Sequence, residues 1–269
     1  MKMSTIKSLN RLAAITIFSV SFAPLIAPAD NVPQKLPFVQ NWSDTALITK
    51  DNNWSVVPGF MGYRGDKLTS KPGMNPQTIV ADGTDTPVQV IANQRKPDTL
   101  RTGGLVEFDG LTNPVVAIKG SATASAPFLL LNLDTTGKQN IAAGYYLRDI
   151  DASANNAVQS ISFQYRVGTN DTFIDIPSAF VADATSGPHE ATMVTRGIVL
   201  LPPDANDWPL VQVRWITANA ESNDEWIGID DITVIGDPLN ASKVITTQSR
   251  SETNRVTKAL RSPRDGEKP

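Results

Sequence analysis

The 269-residue chain contains no cysteine and one histidine. Without thiols there is no disulfide, no zinc–thiolate or iron–sulfur site and no cysteine nucleophile. The lone histidine, His189, sits in "SGPHEA", a Gly-Pro turn. A Ser-His-Asp triad would have to be built on it, yet no G-x-S-x-G occurs and "HEATM" is not H-E-x-x-H. His189 therefore reads as an exposed loop residue. Two further things are missing after residue 30. No run is apolar enough to cross a bilayer, and no stretch before the C-terminal tail keeps a helical period.

What is present starts with an N-terminal targeting pattern. "MKMSTIKSLNR" supplies Lys2, Lys7 and Arg11, "LAAITIFSVSFAPLIA" is apolar but interrupted by Pro24, and Ala27-Pro28-Ala29 forms an A-x-A cleavage site. Residues 1–29 are expected to be a secretory signal peptide. The mature chain is then secreted and extracellular, or periplasmic, with no membrane span after cleavage. Residues 30–239 carry 14 basic and 24 acidic residues, a net −10, and residues 240–269 carry 7 and 3, a net +4. The acidic part repels phosphates, so no nucleic acid is expected to bind it. Residues 240–269 are polar, basic and poor in large apolar side chains, and are expected to form a flexible, disordered tail.

Between the two ends, strand patterns recur with turns between them. Candidates are "PVQVIA", "GLVEF", "VVAIKG", "PFLLLNL", "NIAAGYYLRDI", "VQSISFQYRVG", "TFIDIP", "GIVLLP", "LVQVRWIT" and "EWIGIDDITV", preceded by a lead-in with brief extended pieces. Ile161, Phe163, Tyr165 and Val167 alternate with Ser160, Ser162, Gln164 and Arg166. Val211, Val213 and Trp215 alternate with Gln212 and Arg214. Period two predicts strands with one face in the core and one in water. Some ten strands without helices predict an all-β chain, an antiparallel β-sandwich of jelly-roll type over residues 30–239.

Several stretches carry a resemblance: "GGLVEFDG", "GSATASAPFLLLNLDTTGKQNI", "YYLRDIDASANNAVQSISFQYRVGT", "VADAT" and "PLVQVRWITANAESNDEWIGIDDITV". Together, over about residues 35 to 237, they resemble a β-sandwich module of secreted bacterial proteins. That module is often found beside extracellular nuclease domains and calcium-binding repeats. "IGIDDITV" also resembles the closing strand of MAM-type jelly rolls. Nuclease centres of that neighbouring type use paired histidines, which one histidine cannot supply, and no catalytic partner domain is expected beside the module and its tail.

Three groups of residues are candidate sites. Asp149, Asp151, Ser153 and Asn155 in "RDIDASANNA" place oxygens at alternate positions like the first half of a calcium loop, without its central Gly or distal Glu. Asp and Asn also simply favour turns. In "DEWIGIDDITV", a regular strand puts Trp226, Gly228, Asp230, Ile232 and Val234 on one face and Ile227, Ile229, Asp231 and Thr233 on the other. The first face reads as the inward one, which buries Asp230. It then needs a partner, Arg148 or Arg214, or a metal. Asp149, Asp151, Asn155, Asp224, Asp230 and Asp231 are thus the candidate ligands of a structural Ca²⁺. Trp208, Trp42 and Trp54, outside the main strands, are candidate ligand platforms, or else staples that cover a sheet edge, whereas Trp215 and Trp226 read as core. The expected function is a secreted, non-catalytic binding or adhesion module for an extracellular glycan or a surface protein. The alternative is a carboxylate-based extracellular hydrolase, or an accessory domain of an extracellular nuclease system.

Overall fold

The computed structural model describes residues 31–82 and 89–239. The expected signal peptide at 1–29 and basic tail at 240–269 lie outside the described residues. In chain order the strands are β1 (Gln34–Lys35), β2 (Phe38–Gln40), β3 (Phe60–Tyr63), β4 (Gly104–Phe108), β5 (Val115–Lys119) and β6 (Phe128–Asp134). Then follow β7 (Lys138–Asp149), β8 (Ile161–Val167), β9 (Ile174–Asp175), β10 (Val194–Leu200), β11 (Val211–Thr217) and β12 (Ile227–Pro238). Among the described residues they form two six-stranded sheets. One runs β1-β6-β11-β8-β9 with β3 also on β6; the other runs β10-β7-β12-β5-β4 with β2 also on β12. The pairings are antiparallel except β1 with β6. Sequence neighbours such as β6 and β7 lie in different sheets, so the chain crosses the sandwich repeatedly, as the jelly-roll expectation requires. "PVQVIA" is the weakest of the expected strands: Ile91 makes a single parallel bridge to Val106.

Alternation builds the core as anticipated. Ile161, Phe163, Tyr165, Val211, Val213 and Trp215 of the first sheet meet Tyr145, Leu147, Ile227, Ile229, Ile232 and Val234 of the second. Tyr145, Phe163 and Trp215 join the sheets, with ring centroids 5.1 to 5.5 Å apart.

The opposite face of the first sheet departs from expectation. Ser162, Gln164, Arg166, Gln212 and Arg214 were expected in water, and all are buried. Met61, Ile79, Tyr63, Leu68 and Met74 pack over them with Phe128, Leu130 and Phe173. A polar group may be covered only if it is hydrogen-bonded, and these are. Arg214 donates to the Ile79 and Ala81 carbonyls at 2.6 and 2.9 Å and to Gln164 Oε1. Gln164 donates to the Pro76 carbonyl. Arg166 reaches Gln212 at 2.7 Å and Asp82 at 2.6 Å. The Arg214 guanidinium also lies 3.8 Å from the Phe173 ring centroid, a cation–π contact. Side-chain alternation cannot register a cover contributed by a segment a hundred residues away.

The second departure is in β12. Its pairing with β7 shifts register between Asp230 and Thr233, so two residues, Asp231 and Ile232, stand against Tyr145 alone. Asp231 is at φ 48°. This is a β-bulge, and it resets the alternation. Ile227 and Ile229 face the core before it, Ile232 and Val234 after it. Asp230 therefore shares the outer face with its partner Tyr146, and the inward assignment of Asp230 is corrected. It is nonetheless fully buried. Arg148 lies 2.8 Å away and Asn113 Nδ2 donates at 2.9 Å. Of the two arginines considered, Arg148 pairs with Asp230, while Arg214 belongs to the other sheet.

Two measurements follow from the bulge. In urea unfolding, Asp231→Gly should stay within ~1 kcal/mol of the parent and Asp231→Val should lose about 1–2 kcal/mol, because a branched residue is strained at positive φ. A regular strand would instead be stabilised by valine. Asp230→Ala should cost about 3 kcal/mol by leaving Arg148 and Asn113 without their acceptor.

Candidate functional site

Strand register brings distant acids to one end of the sandwich. Ile227, at the start of β12, pairs with Asp149 at the end of β7 and with Ile118 near the end of β5. Asp224 and Glu225 therefore arrive beside Asp149, Asp151 and Lys119. An open cavity of about 300 Å³ lies there. Asp98, Lys119, Asp151, Ser153, Asn155 and Asp224 line it, along with Arg101, Ser121 and Asn223. Leu100 is its one large apolar residue.

The loops that build it are stiffened by local bonds. Asp149 Oδ1 accepts the Asp151 N–H at 3.0 Å, and Asp151 Oδ1 accepts the Ser153 N–H at 3.1 Å. The D-x-D-x-S pattern is thus a chain of Asx turns. Asp149 Oδ2 accepts from Ser186 N at 2.6 Å, Asp224 Oδ1 from Ala220 N and Asp98 Oδ1 from Ala152 N, both at 2.8 Å. Gly120 makes room for this: a Cβ there would come within 2.4 Å of Asp224 Oδ1.

Lys119 lies at the centre. Its ammonium donates to the Leu100 carbonyl at 2.6 Å and sits 4.8 Å from the Trp226 ring centroid. Trp226 Nε1 donates to the same carbonyl. Burial lowers the Lys119 pKa, and Asp151, Asp224 and Glu225 oppose that shift. Burial also raises the pKa values of Asp149, Asp151 and Asp224, with Lys119 working against it at the last two. Glu225, 1% exposed, is pushed up to about 7 by burial, with Asp149 and Asp151 adding to the rise. Its Oε2 is buried without a hydrogen-bond partner.

Of the six expected metal ligands, Asp151, Asn155 and Asp224 line this cavity and Asp149 borders it. Asp230 and Asp231 do not join them; they lie further along β12, at the Arg148 pair and the bulge. Among the described residues no group of three or more His, Cys, Asp or Glu could hold a metal ion. The three tryptophans also separate. Trp42 is buried, donating to the Ile229 carbonyl at 2.7 Å, and Trp54 is buried, donating to the Gln89 carbonyl at 3.2 Å. Both close the core and neither is a platform. Trp208 is 48% exposed, but its backbone N–H donates to Thr135 Oγ1 just past the end of β6, near the start of β11 and at the far end of the sandwich from the cavity. His189 is exposed in its loop, as expected.

Asp98 and Lys119 were not singled out by sequence reasoning. Lys119 gave one signal, a lone charge closing the buried run "VVAIK"; Asp98 gave none, because only the fold brings its loop to the cavity.

No protein-family model matches the chain, and no curated protein matches it by sequence. Solved structures offer distant likenesses. The K3 adhesin domain of Lys-gingipain from Porphyromonas gingivalis is 12% identical, with 74% of this chain and 98% of that one covered and a TM-score of 0.39. A cyclase from Fischerella sp. TAU is 11% identical over 80% and 98%, TM-score 0.40. A carbohydrate-binding module specific for non-crystalline cellulose is 16% identical over 54% and 86%, TM-score 0.32. An adhesin, an enzyme and a sugar binder stand side by side, and likenesses this distant carry no argument about what this chain does.

The raised carboxylates set a pH dependence. Glu225 and Glu107 both move from 4.5 to about 7 on folding, chiefly through burial. The folded state therefore keeps protons that the unfolded chain releases. The stability these groups contribute is full below about 4.5 and is lost as pH rises through 7, at most about 3 kcal/mol for each. The melting temperature should be several degrees higher at pH 5 than at pH 8, and Glu225→Gln should narrow the gap. A melting temperature that rises from pH 5 to pH 8 would contradict this.

Proposed function

We propose that this chain is a secreted, non-catalytic binding module whose ligand is a neutral, hydroxyl-rich glycan held in the cavity above Lys119. The carrying observation is the lining. In about 300 Å³, carboxylates, amides, hydroxyls and two cations converge with one large apolar residue. Sugar hydroxyls both donate and accept, and such a lining offers both. The volume is at the lower end of ligand sites. An anionic ligand would meet Asp98, Asp151 and Asp224, and the acidic domain disfavours it further.

One observation favours a hydrolase as the second reading: Asp151 and Asp224 both line an open cavity with raised pKa values. Glycosidic hydrolysis needs the two carboxylates driven apart, one protonated and one ionised. Here burial raises both and the same ammonium opposes both, which supports binding over hydrolysis.

Export rests on the N-terminal pattern; among the described residues no helix is long and apolar enough to cross a membrane. An accessory role beside an extracellular nuclease, or the MAM-like resemblance, would employ this cavity on a surface glycan. Structural Ca²⁺ is a separate proposal from the sequence. Asp151, Asn155 and Asp224 are the candidate ligands that share this cavity; a melting temperature higher in millimolar Ca²⁺ than in EGTA would support the metal, and coincident curves would count against it.

Calorimetry against neutral and charged sugars tests the main reading. Asp151→Asn and Asp224→Asn keep the oxygen that accepts the backbone N–H and should weaken a neutral sugar at least about tenfold, the cost of a lost charged hydrogen bond. Trp208→Ala should leave binding unchanged. Silence across the whole panel, or turnover of a bound sugar, would end the proposal.

A further inference from the structure

A second cavity, of about 470 Å³, adjoins the first, and Ser222 lines both. The wall between them is one loop. Ala218 to Ser222 face the second cavity, and Ser222 to Asp224 face the first. That wall is anchored from three sides. Gln159 Nε2 donates to the Ala218 carbonyl at 2.8 Å, Asn219 N to the Ser125 carbonyl at 2.9 Å, and Gly73 N to the Asn219 carbonyl at 2.8 Å. Asp224 ties the loop back on itself through Ala220. Gly73, at φ 71°, allows the closest approach: a Cβ there would lie 2.4 Å from the Glu221 side chain. The two cavities are therefore held at a fixed spacing.

Their chemistry differs. The second joins an apolar side, made by Met74, Val158, Phe180, Ala182, Ala218 and Ala220, to a polar rim of Asn75, Ser160, Asn219, Glu221 and Ser222. Val158 is 68% exposed and Phe180 is half-buried. Val181 exchanges two 3.0 Å backbone hydrogen bonds with Ile161, which fixes Phe180 and Ala182 on either side of it. A half-buried aromatic ring fixed beside aliphatic side chains suits the C–H face of a pyranose ring, and the first cavity has no aromatic side chain in its lining.

We infer that the two cavities are subsites of one binding track for a glycan of two or more units, one unit gripped by its hydroxyls above Lys119 and the next packed by its C–H face on Phe180 and Val158. This rests on the glycan reading proposed above and adds to it a minimum ligand length and a specificity-determining residue. Neither Phe180 nor Val158 lines the first cavity, so their loss should not touch a single sugar unit.

The test is calorimetry with neutral gluco-, galacto- and manno-oligosaccharides of one to four units. For the series that binds, the two-unit sugar should bind at least about tenfold more tightly than its monosaccharide. Phe180→Ala should erase that gain and leave the monosaccharide Kd unchanged. Val158→Gln, at an exposed position where folding is not at stake, should do the same in part, and circular dichroism melting checks both variants. Equal affinity for one and two units, or an equal loss for both in Phe180→Ala, would overturn the track while leaving the first cavity as the site. No binding at any length would overturn the glycan reading and the track together.

Discussion

The Lys119 ammonium lies over the Trp226 indole and faces Asp151, Asp224 and Glu225. Each of these groups would be costly to bury alone. Together they let three loops meet at the end of the sandwich without a disulfide. The indole sits at the start of β12, the lysine ends β5, and Asp149 ends β7, so this one contact ties the central strands of the second sheet to the loops that carry the cavity. Beneath the lysine lies the ring of a tryptophan whose N–H shares the Leu100 carbonyl with the ammonium.

The same solution recurs on the other sheet. Arg214 is fully buried and is satisfied by the Ile79 and Ala81 carbonyls, by Gln164 and by the Phe173 ring. The segment that covers this face is thus fixed by Arg214 donating to its backbone and by Arg166 pairing with Asp82. A cystine would do this work through a covalent link; here a guanidinium does it through hydrogen bonds. The compensation bears on the proposed function, because an acidic domain free of cross-links still holds the loops around the cavity by hydrogen bonds.

How much of this was legible in the chain depends on distance along it. Alternation in "SISFQYRV" and "LVQVRWIT" gave strands and inward residues, because period two is a local property. It failed on the outer face, where burial comes from residues 60–82. It failed again in "DEWIGIDDITV", where adjacent acids concealed a bulge: Asp231 tolerates positive φ, but nothing in the letters distinguishes that from a strand with two aspartates. Asp151, Asn155 and Asp224 were found as oxygen-bearing residues, and their convergence needed the β5-β12-β7 register. For Trp42 and Trp54 the loop-rich lead-in carries no period to choose between a staple and a platform; both reach back to carbonyls of the core, as a staple does. Phe180, in a short segment with no period, offered no signal.

Amide chemical-shift mapping by NMR tests the central claim, that ligand binds above Lys119, most directly. With the neutral sugar in excess, shifts should concentrate in the amides of Lys119 to Ser121, Asp151 to Asn155 and Ser222 to Asp224. The Trp208 indole and the bulge at Asp231 should stay still. Shifts centred on Trp208, or on the outer face around Arg148 and Asp230, would contradict the account and move the site elsewhere on the sandwich.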